Sequence, residues 1–338
     1  MAGLAGVVIP GGFPSLKAVL VYYVTGSGSC LMIVITYTSP AWEDEMSVRR
    51  TTPTARPVPR SLAPVLAELE LLTPETVDRA MVQFALQSAG DPQAGTTARV
   101  DAVIDGLRRA GWLLPMRTRG VWEFAPASRS GAFRSGDPFT ELRAFLHRKP
   151  GVPVAVAMES AAFRRGLAQH PPSREVVAVG EGARREGALG AYRLVLLDLG
   201  PRAVTVHEDV PMHTVEGLLV AMARKPGSYH DWPNVRLWLA QAADQVSTDQ
   251  VGTGQSDPGA DSPAVGIGGL IALLQDAPAA AWARTAYLLR TGEHPDTAAA
   301  VLEAALRRPT GPVYLGPRHG MSSYDSVTGV YDALLRTA

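Results

Sequence analysis

Eight residues carry the kind of side chains with which proteins grip a polyanionic duplex. Arg99, Arg108 and Arg109 lie on one amphipathic stretch that Thr96 and Thr97 open, and Arg117, Thr118 and Arg119 sit together in a short polar segment just beyond it. A guanidinium presents a planar fork of donors that pairs bidentately with guanine O6 and N7 or with a phosphate. Hydroxyls in the first turn of a helix, beside its unpaired amides, can hold a phosphate oxygen. These eight residues are the candidate binding set. Their chemistry is recognition and positioning rather than covalent catalysis.

Residue types that do covalent or metal chemistry do not assemble by spacing. His207, His213 and His230 have Glu208, Asp209 and Asp231 close by, but no HExxH or CxxC pattern orders them. Adjacent Glu208 and Asp209 would point to opposite faces of a strand, so a solvated strand end is the expectation. Asp198 closes the run RLVLLDL, but the following run AVTVHED lacks the Glu-x-Lys that a strand-borne nuclease site would need. The glycines of Gly26-Ser27-Gly28 and of Gly266-Ile267-Gly268-Gly269 miss the phosphate-loop spacings, and no serine elbow occurs. The single cysteine, Cys30, rules out an internal disulfide. Glu159 with Arg164 and Arg165 reads as ion pairing. The expectation is therefore no catalytic residue, no metal and no cofactor, with a metal-dependent nuclease as the remote alternative.

The binding set needs elements that bring it to one surface. Leu62, Leu66 and Leu69 repeat at helical spacing after Ser61, a candidate cap, and Thr73-Pro74-Glu75 has the form of a second helix start, with Val77, Met81 and Phe84 on one stripe. Val100, Val103, Ile104 and Leu107 define a third helix that Gly111 stops. Two short β-type runs, Trp112 to Leu114 and Val121 to Phe124, flank a basic tip. Three helices followed by a hairpin is the pattern of a winged helix-turn-helix, whose third helix enters the major groove. The same pattern also serves as a protein-docking module, so both readings stand at this level.

Overall the chain has 32 Lys and Arg against 32 Asp and Glu, which excludes a histone-like polyanion coat. Locally it is uneven. From Met46 to Arg134 there are 12 arginines and 8 carboxylates, while residues 1–45 and the remainder are each slightly acidic. At 338 residues the chain has room for two or three domains. The expected class is α+β. An extension and Pro/Arg-rich arm (1–60) precedes the winged helix (61–127); a mixed α/β domain (137–246), a Gly/Ser/Asp-rich linker (247–263) and a C-terminal helical block (264–338) follow. In the mixed region helices are expected at Phe139 to His147, Ser160 to Gln169, Thr214 to Arg224 and Val235 to Val246, and strands at Val152 to Ala157, Glu175 to Val179, Tyr192 to Leu199 and Ala203 to Val206; a short strand near Pro312 to Leu315 and a closing helix from Ser326 to Arg336 are expected beyond the linker. The apolar run from Ala18 to Tyr37 is broken by Thr25-Gly26-Ser27-Gly28-Ser29, unlike an uninterrupted spanning helix. A start at Met46, with 1–45 outside the functional protein, is the companion expectation, and the compartment expected is the cytoplasm.

Two stretches carry a family resemblance. LRRAGWLLPMRTRGVWEFAPASRSGAFRSGDPF (Leu107 to Phe139) and VAVAMESAAFRRGLAQHPPSREVVAV (Val154 to Val179) are similar to the AbiEi family, as are Ala283 to Pro317 and Tyr331-Asp332-Ala333-Leu334-Leu335. The resemblance spans about residues 61–338 and is most specific at Gly111-Trp112-Leu113, at Glu123 to Ala127, and at Glu159-Ser160-Ala161-Ala162 with Gly166-Leu167-Ala168. It implies a winged helix that binds double-stranded DNA at inverted repeats in its own promoter and represses the operon. It further implies an antitoxin region neutralising a nucleotidyltransferase-like toxin encoded alongside, the type IV arrangement of phage defence, without a required stable complex. Membrane association is not implied. Residues 1–45, the loop Ala89 to Gly95 and the linker depart from the family pattern.

Overall fold

The computed structural model describes residues 16–25, 28–37, 58–128, 134–248, 265–317 and 323–335. It is mixed α/β. Contacts divide the chain into residues 1–55 and residues 56–338. In the first unit, β1 (Leu16–Thr25) and β2 (Gly28–Tyr37) pair antiparallel, Leu16 opposite Tyr37 and Thr25 opposite Gly28. Their Val, Ile and Tyr content favours strand, so the expected extension contains a paired hairpin. No helix among the described residues is long and apolar enough to cross a membrane. The arm expected before Ser61 lies outside the described residues up to position 57, and the linker lies outside them over residues 249–264.

The second unit opens with α1 (Ala63–Leu72), capped without a side-chain bond by Leu62 rather than by Ser61. Next comes a correction to the expected second helix. Thr76–Asp78 is a strand, β3, and α2 (Arg79–Ser88) begins only after it. Val77 lies opposite Trp122 in antiparallel pairing, which satisfies backbone groups that a helix start at Pro74 would have used differently. Asp78 then caps the helix, its Oδ1 accepting the Met81 N–H at 2.9 Å. The buried stripe moves accordingly to Val82, Ala85 and Leu86, leaving Phe84 53% exposed.

α3 (Thr97–Arg109) follows the sequence expectation closely. Thr96 caps it, Oγ1 accepting the Arg99 N–H at 3.4 Å. At its end Gly111 adopts φ of 77°, the Gly111 N–H donates to Arg108 O, and the Trp112 N–H donates to Leu107 O. This double closure needs a residue free to take positive φ, which Gly111 supplies. β4 (Leu113–Pro115) and β5 (Val121–Phe124) complete a three-stranded sheet in the order β3-β5-β4. One core, including Leu69, Leu86, Leu107 and Phe124, holds this part together.

The remainder builds a second core around a five-stranded mixed sheet. Its elements are α4 (Thr140–Arg148), β6 (Val154–Val156), α5 (Met158–Arg164), β7 (Val176–Val179), β8 (Arg193–Leu196), β9 (Val204–His207), β10 (Val210–His213), α6 (Val215–Arg224) and α7 (Trp232–Thr248), with sheet order β8-β7-β6-β10-β9. β10 was not expected. Glu208 and Asp209, at φ of 48° and 60°, form the two-residue turn that joins it to β9, as a hairpin with two left-handed turn residues requires. The adjacent carboxylates form an exposed turn at the end of β9, in keeping with a solvated strand end.

α8 (Gly266–Leu274), α9 (Ala279–Thr291) and α10 (Pro295–Ala304) add Leu270, Trp282 and Val301 to that same core. The expected closing helix is corrected to strand. β11 (Val313–Leu315), β12 (Ser323–Asp325) and β13 (Val330–Asp332) form a sheet in the order β11-β13-β12. The Asp325 carboxylate accepts the N–H groups of Val327 and Thr328, both at 3.0 Å, and Gly329 turns the chain at φ of 71°. Tyr331 packs between Tyr314 and Tyr324, ring centroids 5.5 and 4.6 Å away. Cross-strand aromatic pairing of this kind favours strand over helix.

Candidate nucleic-acid interface

With Val100, Val103, Ile104 and Leu107 buried, α3 turns Ala98, Ala102, Asp105, Arg108 and Arg109 outward. The exposed face is therefore mixed in charge along its length and cationic at its C-terminal end. Asp101 is paired with Arg79 from α2. Arg108 meets Asp105 at 3.2 Å, both side chains well exposed, and Arg109 donates to the Asp105 carbonyl oxygen at 3.2 Å. Exposed pairs of this kind hold by about 0–1 kcal/mol, so both guanidinium groups can change partner for a phosphate. Asp105, Arg108 and Arg109 of α3 line a cleft of about 470 Å³ together with Leu113 and Pro115 of β4.

The other residues of the candidate set separate into distinct positions. Arg99 is folded back onto the preceding loop, 2.8 Å from Asp91, with its side chain only 26% exposed. The Gln93 N–H and the Arg99 guanidinium hold the Asp91 carboxyl below its ordinary value, although burial works against them. Thr96 is committed to the cap and donates its hydroxyl to Gln93 O at 2.9 Å. Thr97 is exposed at the first helical position. At the hairpin tip Arg119 is exposed, and no ion pair to it occurs among the described residues. Arg117 is exposed but lies close to the second core: a Cβ on Gly190 would come within 3.2 Å of its Nη1.

Thr118 does not join the surface. It is buried, its N–H donates to Glu141 Oε1 at 2.6 Å, and its hydroxyl donates to the same oxygen at 2.7 Å. The Arg117 N–H donates to Glu141 Oε2 at 3.0 Å. A carboxylate from α4 thus holds the tip of the hairpin, and Thr118, counted in the candidate binding set, is buried there as a junction residue. The same helix anchors the three-helix part again through Arg143, which donates to both oxygens of Glu75 at 2.6 Å and also pairs with Asp137. These partners raise the Arg143 pKa. His147 reaches Asp78 at 3.3 Å, and Tyr192 fixes the start of α4 by accepting the Leu142 N–H and donating to Pro138 O.

Two participants were not singled out from sequence. Arg134, 19 residues beyond Pro115, donates to its carbonyl at 2.7 Å; no apolar period in its segment marks it in the sequence. Glu141 stands in an ordinary amphipathic helix, and only long-range pairing reveals its role. Among the described residues no group of three or more His, Cys, Asp or Glu is placed to hold a metal.

Comparison with known proteins adds a fold relationship. No family model matches the chain, and no curated protein matches it. Among solved structures, the crystal structure of RV2827C protein from Mycobacterium tuberculosis superposes with a TM-score of 0.64 at 24% sequence identity, over 83% of this chain and 94% of that one. The two chains share a fold.

Proposed function

We propose that this chain is a DNA-binding transcriptional repressor and the antitoxin of a type IV toxin–antitoxin pair in phage defence. The observation that carries the DNA-binding part is that Arg108 and Arg109 line the cleft between α3 and β4, with Arg134 bonded to the Pro115 carbonyl of the same strand and exposed Arg119 at the hairpin tip. The order α1, β3, α2, α3, β4, β5, with β5 between β3 and β4, supports reading residues 61–127 as a winged helix whose α3 lies in the major groove. In this reading Arg108 and Arg109 face base edges or phosphates, Arg119 follows the backbone, and Thr97 with the free amides of the first turn offers a phosphate site. Arg99 supports the loop and does not read bases.

The antitoxin part rests on the resemblance of residues 107–139 and 154–179 to AbiEi proteins, with residues 137–246 and 264–338 as the region that acts on the toxin. The test is whether a nucleotidyltransferase-like reading frame adjoins this one and whether co-expression with its product restores growth; absence of such a frame, or toxicity that persists with the full chain, sinks the antitoxin role. A second reading, protein docking through the same unit, is favoured by exposed Leu71, Leu72 and Phe84 beside Met81 and by the carboxylates on the α3 face. Gel shift with the DNA upstream of the coding sequence separates the two, since a docking module retards no duplex.

A further inference from the structure

A cavity of about 320 Å³ opens on one face of the five-stranded sheet, remote in sequence from the arginines of α3. Its floor is set by two small residues, Ala155 of β6 and Ala178 of β7, which lie directly opposite each other across the strand pair. Side chains of ordinary core size at these two positions would occupy that space. Leu146 of α4 and Leu199 contribute to an apolar wall.

Among the described residues that line it, two are titratable. His213, at the end of β10, is 2% exposed, and its Nδ1 has no hydrogen-bond partner among the described residues. That atom has essentially no accessible surface, so a ligand in the cavity meets the ring at its other edge. Burial, aided by the Arg165 charge and opposed by Asp198, pushes the His213 pKa down to about 4, so the ring meets a ligand as a neutral group. The other is Asp198, an exposed carboxylate at the cavity whose Oδ1 accepts the Gly200 N–H at 2.8 Å. The lining therefore sets one carboxylate against apolar walls. Its volume lies at the lower end of the roughly 300–1,000 Å³ typical of small-molecule sites.

We infer that this cavity binds a small molecule with an apolar body and a protonated amine, the body seated over Ala155 and Ala178, the amine at Asp198 and a polar edge at His213. The carboxylate attracts an ammonium and repels an anion of the same shape, which gives the site its sign. The inference does not depend on the DNA-binding reading, because its test contains no DNA.

The test is isothermal titration calorimetry of the full chain at pH 7.5 with tryptamine, and with indole-3-acetate as the same ring bearing the opposite charge. Saturable one-to-one binding of tryptamine at millimolar or lower concentration, with no binding of indole-3-acetate, is expected. Asp198→Asn keeps the acceptor for Gly200 and should weaken tryptamine binding about fivefold, and Ala178→Leu should abolish it by filling the floor. Circular dichroism establishes that each variant is folded. Absence of saturable tryptamine binding, equal binding of both indoles, or unchanged affinity in folded Asp198→Asn would each overturn the inference.

Discussion

Replacing Glu141 with alanine should loosen the hairpin tip from α4, and the cost follows from three hydrogen bonds. Glu141 is 8% exposed and accepts the N–H groups of Arg117 and Thr118 and the Thr118 hydroxyl, at 3.0, 2.6 and 2.7 Å. Once the carboxylate is gone, the exposed Arg117 recovers water, whereas the N–H and hydroxyl of Thr118, 6% exposed, do not. Each buried donor left unsatisfied costs about 1–3 kcal/mol. Release of the carboxylate from burial offsets part of this, giving a net loss of roughly 3 kcal/mol. Urea unfolding followed by tryptophan fluorescence reads it as a lower midpoint at unchanged slope. Thr118→Val should cost about 1 kcal/mol in the native background and almost nothing in Glu141→Ala, because the two changes remove one shared interaction. A Glu141→Ala loss below about 0.5 kcal/mol, or an equal cost of Thr118→Val in both backgrounds, would refute the junction as described.

Arg119→Ala should weaken binding to every duplex and flatten the salt dependence by about 0.9 for each phosphate no longer neutralised, as salt titration of affinity will show. Arg108→Ala should relax discrimination between specific and scrambled duplexes by roughly 1–3 kcal/mol, whereas Arg99→Ala, already turned onto Asp91, should leave it nearly unchanged. His213 is neutral when folded and titrates near 4 against 6.5 for the free side chain. The unfolded chain therefore binds the extra proton first, so stability is retained above pH 6.5 and falls by roughly 3 kcal/mol between pH 6.5 and 4. Denaturation midpoints across that window should fall less in His213→Gln. Gly217→Ala should destabilise by about 1–3 kcal/mol, because the added Cβ would lie 2.5 Å from the Ala203 carbonyl oxygen in the packed interior; a neutral effect in thermal unfolding would contradict that packing.

The parts of the fold governed by local signals were legible in the sequence. α3 could be placed from its apolar period, its Thr96 cap and its Gly111 stop, and the arginines around it followed from helical geometry. β3 was not legible because Thr76-Val77-Asp78 is stabilised by partners in β5, more than forty residues away. β10 was hidden because Glu208 and Asp209 announce a turn only once both are seen at positive φ. The closing hairpin was misread since Val327, Val330 and Leu334 also fit a helical period, and stacking of Tyr331 decides the matter. Of the candidate site, exposure of Arg108, Arg109 and Arg119 was readable from pattern. The diversion of Arg99 and Thr118 was not, because Asp91 and Glu141 act through the tertiary fold.

The most direct test is fluorescence anisotropy of the full chain with a duplex from immediately upstream of its coding sequence and with a scrambled duplex of equal length, at several salt concentrations. DNA binding by the α3 and hairpin surface predicts affinity for the upstream duplex on the order of 10³-fold or more above the scrambled one, falling with salt by several powers as counterions are released. Equal affinity for both duplexes, or no binding at low salt, would contradict it.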